Sequence, residues 1–321
     1  MKSGPMIAAV AALLSAGLAL AADPPPIPAW LYPTDPPAPA GAAPDTAPDT
    51  PKVLPGTSKS YTTAQIRDLF NPPDWRPDQH PPMPDVVAHG HKPDQPACAG
   101  CHFPNGQGRP ENTALAGLDP AYLARQLADF KSGDRKSSNP ATNRMAVIVR
   151  AASDVELTDA VRYFSSQKYQ PWIRVVETDT VQPTHSELRF LVPSPGPKEP
   201  IGHRIVETVS DLERNMLRDP AAGFIAYVPV GSIDRGQDLV TGKISSRTVA
   251  CATCHGADLR GVADIPPLAG RSPSYIARQL YDFQHGARHG ANSAPMQAVV
   301  ANLTEDDLIA IGAYLGSRAP H

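Results

Sequence analysis

Cys98-Ala99-Gly100-Cys101-His102 and Cys251-Ala252-Thr253-Cys254-His255 share one five-residue pattern and contain all four cysteines of the 321-residue chain. The second pattern lies 153 residues after the first, and the same shift aligns residues 85–135 with residues 238–288 without a gap. Within these 51 aligned positions, 21 residues are identical. A long repeat present twice indicates a duplicated domain and not a solenoid, which needs three or more short units.

Each copy carries the signals of the same helices. The middle helix has an N-cap, Asp119 or Ser272, followed by a proline, and it ends at Gly133 or Gly286. Capping boxes begin the last helix of each copy, at Ser153-x-x-Glu156 and Thr304-x-x-Asp307. With a further helix before or through the cysteine pair, each copy is predicted to be a small helical unit, and the fold class is mainly α.

The segment between the copies has a different pattern. Short β-type runs occur at residues 173–177, 188–192 and 224–228, and Pro193-Ser194-Pro195-Gly196-Pro197 interrupts them. We expect residues 169–230 to form a short β-containing connection. It is either a small sheet that fixes one helical unit against the other or a long ordered linker.

The N-terminus resembles a secretory signal. Lys2 precedes an apolar run from Met6 to Leu20, and Ala19-Leu20-Ala21 fits a cleavage site, so residues 1–21 are predicted to be a signal peptide cleaved after Ala21. The apolar run is shorter than the roughly 20 residues of a bilayer span. An uncleaved anchor is the alternative.

Proline is unusually frequent, with 38 residues, most densely before residue 84. We expect residues 22–60 to form a Pro-rich disordered arm, and the alternative is an arm that packs across a helical unit. The remaining boundaries follow: a first unit at residues 61–168, the connection at 169–230, and a second unit at 231–321. A net charge of −3 without a long basic run gives no reason to expect a nucleic-acid partner.

The Cys-x-x-Cys-His pattern is typical of covalent haem attachment. Two intervening residues on a helical turn bring both thiols to the porphyrin edge that carries the vinyl groups, and the histidine that follows reaches the iron. A zinc ribbon would place its two cysteine pairs roughly 15–20 residues apart, and a redox dithiol would need a βαβ surrounding. The pattern therefore predicts two covalently bound haem c groups, at Cys98, Cys101 and His102 and at Cys251, Cys254 and His255.

A thioether commonly supplies the sixth ligand of iron in electron-transfer cytochromes. Met145 lies 43 residues after His102 and Met296 lies 41 residues after His255, both between the middle and last helices, so they are the predicted ligands. The alternative is that both are core residues. Met83 is a fallback for the first site, and the other histidines have no counterpart in the other copy.

Each copy resembles a class I cytochrome c domain, and the whole chain resembles the tandem two-haem cytochromes c of bacteria. The likeness covers about residues 80–168 and 231–318. It implies two tandem class I domains and a periplasmic protein that carries electrons from a dehydrogenase-type donor to an oxidase or cytochrome acceptor. Its partners would be redox proteins, with transient docking to membrane respiratory complexes. The alternatives are a two-haem enzyme of the peroxidase or thiosulfate dehydrogenase type and a dedicated cytochrome subunit of a dehydrogenase.

The resemblance also implies a proline whose carbonyl accepts the hydrogen bond of the ligand histidine. Pro266 or Pro267 fits this role in the second copy, whereas the first copy has Thr113 and Ala114 there. We therefore expect that the two haems differ in potential. Two pairs recur at equal distances from the histidines, Tyr122 with Arg125 and Tyr275 with Arg278. They either bind haem propionates or form surface contacts.

Overall fold

The computed structural model describes residues 26–36 and 49–320, so the predicted signal peptide lies outside the described residues. The first unit has a capped middle helix that begins at Pro120 after the N-cap Asp119 and ends at Gly133 in a left-handed conformation, as predicted. A 3-10 turn at Pro140–Thr142 follows it. The helices of the first unit are α1 (Thr63–Arg67), α2 (Asp85–Ala88), α3 (Cys98–His102), α4 (Pro120–Ser132), α5 (Arg144–Ala151) and α6 (Asp154–Ser165).

The second unit repeats this arrangement. The capping boxes predicted at Ser153 and Thr304 both form, and Ser272 caps the middle helix. The middle helix ends at the C-cap His285, one residue before the predicted glycine. None of the helices within the described ranges is long and apolar enough to cross a bilayer. After α7 (Leu212–Met216), which lies in the connection, the helices are α8 (Ser232–Val240), α9 (Ala252–His255), α10 (Pro273–Gln284), α11 (Ala294–Val300) and α12 (Glu305–Ser317).

A helix between the middle and last helices of each unit was not predicted. Met145 and Met296 were expected in a loop between the middle and last helices, but Met145 lies in α5 and Met296 lies in α11. Both helices are short, and neither has a side-chain cap at its N-terminus. Without a cap or a long apolar stripe, the sequence carries little local signal for these helices.

The connection forms a five-stranded mixed sheet, which we call the insert (residues 173–228). Its strand order is β3-β9-β8-β6-β5, with β3 parallel to β9 and β6 parallel to β8. Two predicted runs coincide with β3 and β9. The middle run, residues 188–192, is only partly a strand, because Leu188 and Arg189 have positive φ angles and turn the chain between β5 and β6. The elements are β3 (Ile173–Glu177), β4 (Thr180–Val181), β5 (Thr184–Glu187), β6 (Phe190–Pro193), β7 (Glu199–Pro200), β8 (Val206–Val209), α7 (Leu212–Met216) and β9 (Phe224–Val228).

The Pro-rich arm is ordered wherever the structure describes it, so the expectation of a disordered tether is wrong for residues 26–36 and 49–60. Residues 26–36, which we call the strap, pack on the second unit, and Leu31 is completely buried in its core. The Tyr32 hydroxyl donates to Asp282 at 2.5 Å, and Trp30 donates to Glu305. Farther on, two short strands, β1 (Lys52–Val53) and β2 (Ser60–Tyr61), pair antiparallel. Two buried side chains and a few hydrogen bonds thus anchor a segment whose composition indicates disorder.

We expect Leu31→Ala to lower the free energy of unfolding by about 2–5 kcal/mol, because it empties a fully buried position. Denaturant unfolding of the purified protein measures this. Val155→Ala is the control, since Val155 is 71% exposed and should change stability by less than about 0.5 kcal/mol. Equal stabilities of the two variants would show that the strap does not contribute to the core.

Candidate functional site

A cavity of about 490 Å³ lies in the first unit and brings several predicted site residues together. Such a volume falls in the range of roughly 300–1,000 Å³ that is usual for cofactor pockets. Cys98, Cys101, His102 and Met145 all line the cavity. The fallback residue, Met83, packs instead beside Cys98 and Leu115 in the core of this unit. A second methionine, Met216 of the insert, also lines the cavity and was not predicted there.

The histidine of each pentapeptide is held by a backbone carbonyl. His102 Nδ1 lies 2.9 Å from the Thr113 carbonyl oxygen, and His255 Nδ1 lies 2.8 Å from that of Pro266. Burial lowers the pKa of both imidazoles, so both are neutral at pH 7. A neutral imidazole that donates from Nδ1 keeps the lone pair of Nε2 free, as a metal ligand requires.

The carbonyl bond does not depend on proline. Pro266 accepts it in the second unit, as predicted, but Thr113 accepts an equivalent bond in the first unit. The expectation that the two sites differ at this position was therefore wrong, because the acceptor is the main chain, which every residue provides.

None of the four cysteines forms a disulfide bond, so all four are available for haem attachment. Cys98 and Cys251 are shielded from solvent, and burial raises the pKa of Cys98 to about 12 and that of Cys251 to about 11. Cys254, in contrast, is exposed.

Positive charge is concentrated around the first cavity. Four buried arginines line it: Arg109 and Arg135 from the first unit, Arg218 from the insert and Arg278 from the second unit. Within residues 26–36 and 49–320, none of the four has a carboxylate oxygen within 4.0 Å, and the buried Nε of Arg109 has no hydrogen-bond partner. Because burial of an unpaired charge costs several kcal/mol, these side chains fit an anionic ligand.

Three carboxyl groups also line the cavity, those of Asp35, Glu111 and Asp282. Burial raises the pKa of Glu111 to about 7, and the nearby Arg278 and Arg109 oppose this shift only partly. The three acids, of which Glu111 is only partly ionised at neutral pH, therefore carry less charge than the four arginines.

The recurring Tyr and Arg pairs have different surroundings in the two units. Arg125 forms an ion pair at 2.5 Å with Asp264 of the second unit, which is the predicted surface contact. Arg278 is buried in the first cavity and donates to the carbonyls of Leu31 and Pro110. Tyr122 and Tyr275 both line that same cavity, so the second unit helps to build the first site.

A polar cluster joins the two units at equivalent positions. Arg135 donates to Gln126 at 2.7 Å and to Gln279 at 3.0 Å. Arg288, its counterpart, donates to the same two glutamines at 2.7 and 3.0 Å. Because each arginine binds one glutamine from each unit, the duplicated helices α4 and α10 are held in a fixed relation.

The second site is less enclosed. Cys251 and Met296 both pack against the core cluster of the second unit, together with Leu268. His255 is buried, whereas Cys254 is exposed. The structure thus brings the predicted residues of this site to one core.

Comparison with known proteins identifies the fold family of these sites. A family model described as cytochrome c matches residues 233–319. Cytochrome c-554(548) of Halomonas halodenitrificans is 36% identical over 21% of this chain and 83% of its own length. The chain belongs to the cytochrome c family. It therefore binds haem c covalently and transfers electrons.

Two further relatives extend the likeness. Cytochrome c4 of Azotobacter vinelandii is 26% identical over 68% of this chain and 82% of its own length. A protein named thiosulfate dehydrogenase electron acceptor, from Stutzerimonas stutzeri, is 41% identical over 25% of this chain and 37% of its own length. The first of these matches extends over 226 residues, which is longer than the 153 residues that separate the two pentapeptides.

The first cavity fits haem in its donor set and in its charge. Two thiols and a neutral imidazole lie at one wall, a thioether is present, and each haem brings two carboxylates to the unpaired guanidinium groups. Sequence reasoning missed Arg218 and Met216, because both come from the insert and no repeat marks them. The sequence carries no local signal for either residue. The positive φ angle of Arg218 is visible only in the structure.

We expect Arg218→Gln to lower the reduction potential of the first haem, because a buried cation disfavours the more positive ferric state. For one charge in partly buried surroundings the effect is on the order of 1 kcal/mol, or a few tens of millivolts for one electron. Spectroelectrochemical titration resolves the shift. Arg162→Gln removes the same charge from an exposed position on α6 and should leave both potentials unchanged. Identical potentials in both variants would contradict the argument.

Proposed function

We propose that this protein is an exported, periplasmic carrier of electrons with two covalently bound haem c groups, one in each unit. The first unit comprises residues 61–168 and the second residues 231–321, with the insert between them. Cys98 and Cys101 hold one haem and Cys251 and Cys254 hold the other. A dehydrogenase-type donor and an oxidase or cytochrome acceptor are the proposed partners, with transient docking to membrane respiratory complexes.

The proposed axial ligands are His102 with Met145 and His255 with Met296. The observation that carries this proposal is the cavity lined by His102, Met145, two cysteines and four buried arginines that form no ion pair with the described residues. A histidine and a thioether fill both axial positions of an iron, which leaves no position for a substrate. An iron whose two axial positions are both occupied by the protein favours electron transfer over substrate chemistry.

A second candidate function is a dedicated acceptor that remains bound to one dehydrogenase. It is favoured by the relative named thiosulfate dehydrogenase electron acceptor. This candidate shares the haem chemistry and differs in the lifetime of the complex. Co-purification of a dehydrogenase with the tagged protein at physiological salt would favour it, and purification of the chain alone would favour the mobile carrier.

The optical spectrum of the oxidised protein tests the ligands directly. We expect the weak near-infrared band of methionine bound to ferric iron at an intensity for two haems. Cyanide added to the oxidised protein, and carbon monoxide added to the protein after reduction, should cause no change within minutes. Rapid binding of either ligand by half of the haem would instead indicate one open site and a two-haem enzyme. Peroxide and thiosulfate turnover would then identify the reaction.

Two substitutions decide which methionine serves the first haem. Met145→Ala should remove half of the near-infrared band and let one haem bind carbon monoxide when reduced. The reason is that no thioether from α5 remains to occupy the sixth coordination position of the iron. Met216→Ala is the matched control, since Met216 lines the same cavity from the insert. If Met216→Ala removes the band and Met145→Ala retains it, the assignment of Met145 is wrong.

A further inference from the structure

The stretch after each cysteine pair has very different exposure in the two units. In the first unit, residues 103–110 are all buried except Asn105. In the second unit, the aligned residues 256–263 are exposed or half-buried except Leu259. We call these stretches, with their cysteine pairs, the attachment faces. The two main chains form matching hydrogen bonds, from Gly108 N to the His102 carbonyl and from Gly261 N to the His255 carbonyl, so the difference in exposure points to a neighbouring element.

The insert covers the first attachment face. Asn105 donates to the Pro220 carbonyl at 3.1 Å, and Gln107 donates to the Ala222 carbonyl at 3.0 Å. The guanidinium of Arg109 lies 5.1 Å from the centre of the Phe190 ring. These three side chains of the first face therefore all bind residues of the insert.

The insert also reaches the haem-attachment helix itself. Arg218 donates to the carbonyl of Gly100, which lies between Cys98 and Cys101, and its guanidinium lies 5.4 Å from the centre of the Phe103 ring. Arg218 is buried. Because the thiols fix the porphyrin edge beside them, this contact places protein over the edge of the first haem.

The second attachment face has lost the side chains that bind the insert. Asp258, Arg260 and Val262 stand where the first unit has Asn105, Gln107 and Arg109. Val262 is 53% exposed, and Val249, just before the cysteine pair, is 55% exposed. The thiol of Cys254 lies in the same exposed region.

Most of the charges on and beside the second face are paired within the molecule, whereas Arg247, an exposed residue two positions before Val249, donates to the Asn302 carbonyl. Asp258 lies 3.8 Å from Arg260, Asp264 binds Arg125, and Asp238 binds Lys243. The exposed valines therefore lie in surroundings with little unpaired charge. Such a surface fits a partner with a neutral, apolar rim better than a strongly charged one.

We propose that the insert closes the first haem to other proteins, so that electrons enter and leave the molecule through the second attachment face, by contact with a redox protein that presents an apolar rim. The first haem then exchanges electrons only with the second. This inference rests on the proposed two-haem carrier function. The insert is its structural basis, because it covers one of two otherwise equivalent faces.

Val262→Glu tests the proposal in the full-length, haem-loaded protein. A carboxylate at this position would be buried without a partner when a redox protein docks. Reduction is followed by stopped flow with a reduced single-haem cytochrome c as the protein donor, and separately with dithionite. We expect at least a fivefold loss in the second-order rate with the protein donor for the whole absorbance change, and less than a twofold change with dithionite.

Three further variants complete the test. Val249→Glu should reproduce the loss, and it replaces Val262→Glu if that variant binds less haem. Val155→Glu, on α6, and Leu212→Glu, on the outer side of the insert, place the same charge at exposed positions and should retain the wild-type rate. Haem content and the near-infrared band confirm that each variant is intact.

Three results would overturn the proposal. The first is a wild-type rate for half of the absorbance change in Val262→Glu, which would mean that the first haem reacts directly with the donor. Both valine variants could retain the full rate, or Leu212→Glu could slow the reaction. A wild-type protein that dithionite does not reduce, or that lacks the near-infrared band, would instead contradict the proposed carrier function.

Discussion

A buried positive charge is costly unless a negative group lies close to it, and the first site gathers four guanidinium groups with no carboxylate oxygen within 4.0 Å among the described residues. They come from three parts of the chain, which are the first unit, the insert and the second unit. Bound haem places its carboxylates in this space, and pairing there offsets a cost of several kcal/mol per charge. The packing of the three parts therefore depends on the cofactor, and cofactor binding stabilises the whole chain and not one domain.

Local sequence signals predicted the helices well. Asp119 and the capping boxes at Ser153 and Thr304 act within one helical turn, so the residues that determine them are neighbours in the sequence. The pentapeptides are equally local, because their geometry depends on five consecutive residues. The acceptor for each histidine lies only 11 residues away, and main-chain geometry provides it whether or not a proline is present.

The parts that sequence analysis missed depend on distant contacts. The strap has the composition of a disordered arm, and its order comes from Leu31 and Tyr32 in a core formed mostly by residues more than 200 positions later. In the insert, β3 pairs in parallel with β9 across about 50 residues, so no hairpin signal exists. Arg218 enters the first site from this sheet, and a repeat-based search could not find it because the insert occurs once.

The two units are similar because the domain was duplicated, but the side chains of their attachment faces differ. Asn105, Gln107 and Arg109 bind the insert, and their counterparts have other partners or face solvent. The polar cluster of Gln126, Gln279, Arg135 and Arg288 has remained nearly symmetric. Contacts between the units have thus stayed alike while the outward surfaces diverged.

The strap determines when the wall of the first site is completed during folding. Tyr32 lines the first cavity and binds Asp282, a separation of 250 residues. The wall of the first site is therefore incomplete until the last third of the polypeptide has been made and folded. Contacts between such distant positions form slowly, because closing a long loop costs entropy before any contact forms. During that interval the first pocket stays open on the side of the strap, which gives the haem a route to its two cysteines before the beginning of the chain closes over it.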